Sequence, residues 1–441
     1  MPEKEIQLNN PIQTFWSRQF SQVREEGWPA VRRKTRTAVI KLVKMPFHLL
    51  GLTMALPVVL VVRLIRPFKL VRFGYLFAGR IGHFAFDVEY YLTEKKLGLH
   101  PENALDIFFW RWIRGGRTAN DYFAKLTKRN LKVNPLVKYL FRMNNYLPGG
   151  VIHQYLPAVS RIGSRDVHGL LPQIKPQLKF TNDENKRGWE FLKIIGLNEN
   201  DKYVCLVIRD SAYLKTFDDR YAYHNYRDSN IDTYEEASLA LAEKGYWIFR
   251  MGKVVNEHFK VDSHPRIIDY ANSKYRSDFL DIWLGANCFF GLTTATGMGD
   301  VVAVFRRPIV LVNALPLGYI NTSANSNSIW LPKKIVWADS KNLLTLKEQI
   351  QTGVIGFLYS KDYEDAGVEL IDNTPEEITK TAIELEEKLT GKWQTYPQDK
   401  DLQNQFWEIL KTWERFPELH GKFQSKMPDT FLRENHEWFL V

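Results

Sequence analysis

The chain has 441 residues, 45% of them hydrophobic, which is enough for roughly two to three packed domains, and only two cysteines, which excludes a disulfide scaffold. Its net charge is +10, and the excess is local: residues 18–72 hold twelve Lys or Arg against two Glu, so the remainder is near neutral. That distribution argues against a general nucleic-acid binder and for one basic segment that meets an anionic surface.

The start of the chain is polar and the first apolar run comes late, so no secretory signal is expected. Met45 to Val62 carries no charge and is flanked by Arg32, Lys34, Lys41 and Lys44 on one side and by Arg63, Arg66 and Lys69 on the other. Eighteen helical residues span about 27 Å, the lower limit for a bilayer. Pro57 is expected to break or kink the helix near its middle. Basic flanks on both sides suit a single pass poorly. The segment 1–69 therefore reads as membrane-associating, with residues 45–69 dipping into one leaflet or lying in the interface. A true span and a buried soluble helix are the alternatives.

Residues 70–180 read as a small α/β domain on the acceptor side. A strand at 70–80 enters a turn bracketed by Gly79 and Gly82, and a helix follows over 81–96. His83, Asp87 and Tyr90 fall on one face of that helix. A strand at 105–110, a helical stretch at 118–145 and an apolar piece at 151–155 complete it. The proline-bearing stretch 172–185 reads as the linker.

Residues 181–390 form the second domain. A helix at 184–195 leads to a strand at 203–208 that ends in Arg209 and Asp210. A helix at 233–244 leads to a strand at 246–251 that contains Arg250. A short strand at 267–269, a helix at 277–285 with Asp278 and Asp281, and a strand at 288–291 follow. A small-residue turn at 293–299 opens a helix at 300–305, and strands at 309–312 and 334–337 come after it. Strands alternate with helices, so the fold class is α/β, with two facing, doubly wound Rossmann-like domains. Cys205 and Cys288 lie in apolar strands as buried thiols. Helices at 375–389 and 402–413 and an apolar end (Phe431, Leu432, Trp438, Phe439, Leu440) close the chain. Residues 391–441 are expected to pack back on the first domain.

In parallel sheets a ligand binds beyond the carboxyl ends of the strands. There, Thr294, Thr296 and Gly297 stand before a helix N-terminus, whose free N–H groups and dipole favour an anion. Thr293 adds a hydroxyl, and Gly297 and Gly299 admit close backbone approach. Arg209 and Arg250 end neighbouring strands, and guanidinium pairs bidentately with phosphate oxygens. This set, with Asp210 and Asp281, reads as the seat of a nucleotide diphosphate. A structural ion pair is the competing reading for each arginine. His83, Asp87 and Glu89 are the acid–base candidates on the first domain, and His224 and His264 are secondary ones. No metal-ligand spacing stands out, since Asp218–Asp219 and Asp278 with Asp281 are generic. There is no phosphate-binding G-x-x-x-x-G-K-[ST] loop and no nucleophile elbow.

The run F-A-G-R-I-G-H-F at 77–84 resembles the glycine-rich loop of fucosyltransferase-like enzymes with the GT-B fold. V-I-R-D at 207–210 resembles their H-x-R-R-x-D strand end, with Val207 where those enzymes have His. Residues 277–297 are similar to their nucleotide-sugar segment. From about 70 to 440 the chain resembles a bacterial glycosyltransferase family of this GT-B, fucosyltransferase-like type. That resemblance implies metal-independent transfer of a hexosyl or deoxyhexosyl group from a nucleotide-diphosphate sugar, with Arg209 on the donor diphosphate and no cofactor. The acceptor would be a lipid-linked saccharide in bacterial surface-polysaccharide assembly, at the cytoplasmic face of the inner membrane. A nucleotide-sugar epimerase or pyruvyl-type transferase, and a non-catalytic membrane scaffold, are the alternatives.

Overall fold

The computed structural model describes residues 23–24, 27–111, 116–209, 226–255, 258–261, 264–320, 327–422 and 426–441. The chain divides into two compact units: Met1–Phe73 with Leu136–Gln154, and Gly74–Pro135 with Tyr155–Val441. Residues 136–154 thus leave the domain expected at 70–180. The reason lies in the packing inside the first unit.

That unit is built on α1 (Trp28–Leu64), a helix of 37 residues. It runs through Pro46 and Pro57 without the break expected at Pro57. Proline forfeits one backbone hydrogen bond, but its φ is already helical, and apolar residues continue on both sides. Among the described residues this is the one helix long and apolar enough to cross a membrane. Many of its apolar side chains are exposed, among them Leu42, Phe47, Met54, Leu60 and Leu64. A later helix of the same unit (Val137–Tyr146) lies against it. Gly51 lets the Tyr139 ring approach, since a Cβ there would stand 2.7 Å from it. The Arg63 guanidinium donates to Asn144 Oδ1 at 2.9 Å and to Pro148 O at 2.6 Å.

In chain order the remaining elements that position the site are β1 (Leu70–Phe77), α2 (Ile81–Lys96), β2 (Ala104–Arg111), α3 (Asp121–Asn130), β3 (Lys132–Val133) and β4 (Gln154–Tyr155). Then come α4 (Asn182–Ile194), β5 (Tyr203–Val207), α5 (Glu235–Glu243), β6 (Trp247–Arg250), β7 (Ile267–Ile268), α6 (Asp278–Asn287), β8 (Phe290–Thr293), α7 (Gly297–Val304), β9 (Ile309–Ala314) and β10 (Ile329–Pro332). The first sheet has the order β3-β2-β1-β4 and the second β10-β9-β8-β5-β6-β7. Every pairing in the second sheet is parallel. Its strands are buried on both faces, as their near-continuous apolar runs require. Two α/β layers of the expected class are therefore present.

One core joins the two halves of the second unit. Phe84, Val88, Phe123 and Leu178 from the first half share a cluster with Ile282, Val301 and Phe305 from the second. Gly82 on α2 and Gly297 on α7 touch, and a Cβ on Gly82 would stand 2.8 Å from Gly297 Cα. Nearby, Asn120 Nδ2 donates to Asp278 O and the Asp121 amide to Asp278 Oδ2, at 2.9 and 2.8 Å.

The C-terminal helices contradict the expectation for residues 391–441. Phe406, Trp407, Leu410, Phe431, Leu432 and Phe439 lie in one cluster with Val204, Leu292 and Val310 of the second sheet. The tail completes that sheet's core, and it also reaches the first half, where the Lys422 amide donates to Val167 O. An amphipathic pattern requires a partner surface, and the large second sheet offers more apolar area than the small first one. Gly82→Ala should cost about 1–3 kcal/mol of stability, because α2 and α7 must part to admit the methyl group. Urea unfolding of the full chain checks this, and an unchanged midpoint would refute the close contact.

Candidate functional site

A cavity of about 420 Å³ opens between the two halves of the second unit. Its floor is the carboxyl end of the second sheet, where parallel strands leave their binding crevice. The turn after β8 forms one wall. Thr296 caps α7 by accepting the Gly299 amide at 3.2 Å, so the helix starts at Gly297. Thr293 donates to Thr294 O at 2.7 Å and is thereby committed to the turn. Thr294 accepts the Arg209 amide at 2.9 Å, which leaves its hydroxyl proton to donate elsewhere. The amides of Gly297 and Met298 sit in the first turn, where helices have no internal acceptor for them. Thr294, Thr296 and Gly297 all line the cavity.

Arg209 lines it as well, and its Nε donates to Asp228 Oδ1 at 3.2 Å. Burial first, and then the neighbouring Arg227, push its guanidinium pKa down. That environment favours an incoming anion. Asp210 lies outside the described residues, as do Asp218, Asp219 and His224.

Arg250 does not join this group. It is 3% exposed, pairs with Asp269 at 3.2 Å and is absent from the cavity wall. The diphosphate role expected for it gives way to a buried structural pair, because Asp269 holds its guanidinium away from the cavity wall. Asp281 does reach the wall but is held by Tyr270 OH at 3.0 Å and Arg276 Nη2 at 2.5 Å. Its carboxyl pKa is raised, by burial before anything else.

The opposite wall comes from α2 and the loop at 163–165. His83 lines it, with Nδ1 2.9 Å from Ser164 Oγ. Burial, then Arg80 and Arg227, push the imidazole down to about 4, so it is neutral near pH 7. Asp87 and Glu89 part company with it. Asp87 is fully buried one turn deeper, and its Oδ1 accepts the Val159 amide at 2.8 Å. Glu89 accepts the amides of Gln177 and Leu178 and pairs with Arg306 at 3.0 Å. Neither lines the cavity, so the acid–base roles expected for Asp87 and Glu89 do not fit where they lie. A shared helix face says which residues point together, not how far along the helix the cavity extends.

Sequence reasoning missed Arg80, Ser164, Arg165, Arg227 and Lys253, all on the wall. Arg80 stood inside the quoted G-R-I-G-H run. The others sit in loops without a periodic pattern, where no signal marked them. Among the described residues, no group of three or more His, Cys, Asp or Glu is placed to hold a metal ion.

Burial pushes the Asp87 carboxyl up to about 8, from about 4 in an unfolded chain. Between those values the folded chain keeps a proton that the unfolded chain sheds, so this group's contribution to stability falls as pH rises from 4 to 8. Asp87→Asn should remove that loss and gain stability over wild type progressively toward pH 8. Denaturant melts across the range check this, and a wild-type-minus-variant difference that is flat with pH would contradict the assignment.

No protein-family profile matches the chain, and no curated protein matches it. Among solved structures it is similar to E. coli ADP-heptose lps heptosyltransferase II, at 12% identity over 73% of this chain and 99% of that chain, with a TM-score of 0.41. A glycosyl transferase family 9 structure from Veillonella parvula is similar at 11% identity, over 73% of this chain and 98% of that one, with a TM-score of 0.41. E. coli heptosyltransferase WaaC with ADP gives 10% identity, 67% and 99% coverage, and a TM-score of 0.31.

Proposed function

We propose that the chain is a GT-B-type glycosyltransferase that moves a sugar from a nucleotide-diphosphate donor to a saccharide hydroxyl. The observation that supports this reading most is the placement of an anion-favouring wall (Arg209, Thr294 and the α7 N-terminus) across one cavity from a neutral histidine, His83.

In this reading the donor diphosphate rests on the Gly297 and Met298 amides, the Thr294 hydroxyl and Arg209. These groups stabilise the charge that grows on the diphosphate as its bond to the anomeric carbon breaks. With Nδ1–H donating to Ser164 Oγ, His83 Nε2 carries the lone pair. It takes the proton of the acceptor hydroxyl as the new glycosidic bond forms, and nucleoside diphosphate leaves. A bound diphosphate offsets the field of Arg80 and Arg227 and raises His83 basicity toward the working pH. Transfer is read as metal-independent, since the arginine and amides supply the positive field.

The acceptor is read as lipid-linked, in bacterial surface-polysaccharide assembly at the cytoplasmic membrane face. The exposed apolar side chains of α1, with basic residues at both ends of their run, support contact with an anionic bilayer. The donor sugar and base are open to experiment.

A thermal-shift screen of the full chain against UDP, GDP, CMP and ADP tests the donor site, and at least one should raise the melting temperature. Arg209→Ala should weaken that nucleotide by about 2 kcal/mol, roughly 30-fold in Kd. Unchanged affinity would remove Arg209 from the site. His83→Gln should leave nucleotide affinity intact and lower the rate of nucleoside-diphosphate release by about 10²–10⁴. Epimerisation without release would overturn the transferase reading.

A further inference from the structure

Arg165 is a charged group in the cavity wall that the donor reading does not use. It is only 8% exposed, and its guanidinium still borders the cavity. Its one hydrogen bond runs from Nη1 to Ile320 O at 2.9 Å, and its guanidinium carbon lies 4.6 Å from the centre of the Tyr319 ring. Among the described residues no carboxylate comes within ion-pair reach of it. Charges at longer range also act on it: Arg227 and Arg415, of like sign, and Asp300 and Glu418, of opposite sign. Burial, opposed by Tyr319 and reinforced by Arg227, pushes even this guanidinium down to about 10.

An enclosed cation without a carboxylate partner is costly. Guanidinium presents five donors in a fixed fork and does not shed its charge at neutral pH, so it cannot escape that cost by neutralising. Arg227 makes the same point from the next position on the wall. Its Nε donates to Tyr226 OH at 2.8 Å, and among the described residues it has no carboxylate within ion-pair reach. Arg209, by contrast, has Asp228. Asp300 also lines the cavity, beside Gly82, so among the described residues the wall around His83 and Ser164 sets Arg80, Arg165 and Arg227 against the Asp300 carboxylate.

We propose that Arg165, with Arg227, forms a second anion subsite beside His83, which holds a phosphate or carboxylate group carried by the acceptor. This rests on the donor reading above and deepens it: the acceptor is an acidic saccharide or one bearing phosphate near its reacting hydroxyl. Its anion would be held by a bidentate fork next to the histidine that takes the proton, which fixes the hydroxyl in position for attack.

The test uses the full chain, the nucleoside diphosphate that gives the largest thermal shift, and inorganic phosphate as the probe, with ionic strength held constant by NaCl. With nucleotide saturating, phosphate should add a further rise of about 1–2 °C in wild type. That rise should vanish in Arg165→Gln and Arg227→Gln, while nucleotide affinity in Arg165→Gln stays within about threefold of wild type. Without ligand, Arg165→Gln should melt at or above the wild-type temperature, because a buried cation with no carboxylate in ion-pair reach among the described residues has been removed. Arg165→Lys, which keeps the charge but loses the fork, should retain part of the phosphate effect. Phosphate that competes with the nucleotide would place the anion on the donor side and overturn the proposal. A phosphate rise that survives in Arg165→Gln, or a fall of several degrees in the ligand-free variant, would also overturn it. If no nucleotide binds yet phosphate stabilises wild type and not Arg165→Gln, the donor reading fails and the anion subsite stands.

Discussion

The contact on which the site depends is the approach of two glycines, Gly82 at the start of α2 and Gly297 at the start of α7. Side chains at either position would hold the helices apart. Their absence lets the first turns of both helices border one cavity, with the strand ends of the second sheet as its floor. The surrounding apolar cluster, which mixes Phe84 and Val88 with Val301 and Phe305, makes this a packed interface and not a loose crevice. The Glu89–Arg306 pair reinforces it, with both carboxylate oxygens also taking backbone amides, as a buried ion pair requires.

Charge is distributed around this contact with a clear division of labour. Carboxylates that could compete with a ligand are committed elsewhere: Asp269 to Arg250, Asp281 to Arg276 and Tyr270, Glu89 to Arg306. Among the described residues Arg80, Arg165, Arg209 and Arg227 line the cavity with the start of α7, Asp300 lines it too, and Arg209 pairs with Asp228. The histidine between them is kept neutral by burial first and then by the field of Arg80 and Arg227. A cavity so arranged favours polyanions and sets a neutral imidazole beside them, the two features on which the proposed transfer rests.

Much of this was legible in the sequence. The helix at 81–96 and the strand at 334–337 fall where the periodicity puts them, and the strand–turn–helix at 288–305 is present with its small-residue turn. The helix begins three residues earlier than expected, because Thr296 supplies a cap that a glycine-rich run conceals. What the sequence could not carry was partnership. Arg209 and Arg250 both end parallel strands, yet Asp269 captures one and a cavity receives the other. Asp87 shares a face with His83 but lies a turn deeper. The apolar tail had to bury itself, but nothing local distinguished the second sheet from the first as its surface. Arg165 lies in a loop, where neither spacing nor face marks it, and its lack of a carboxylate within ion-pair reach among the described residues emerges only in three dimensions.

The central claim is that one ligand spans both walls of this cavity. Hydrogen–deuterium exchange of the full chain with a saturating nucleoside diphosphate measures it most directly. The account predicts slowed exchange at 294–299 on the α7 side together with a smaller effect at 80–84 on the α2 side. Protection confined to some other part of the chain, or none with any of the four nucleotides, would contradict it.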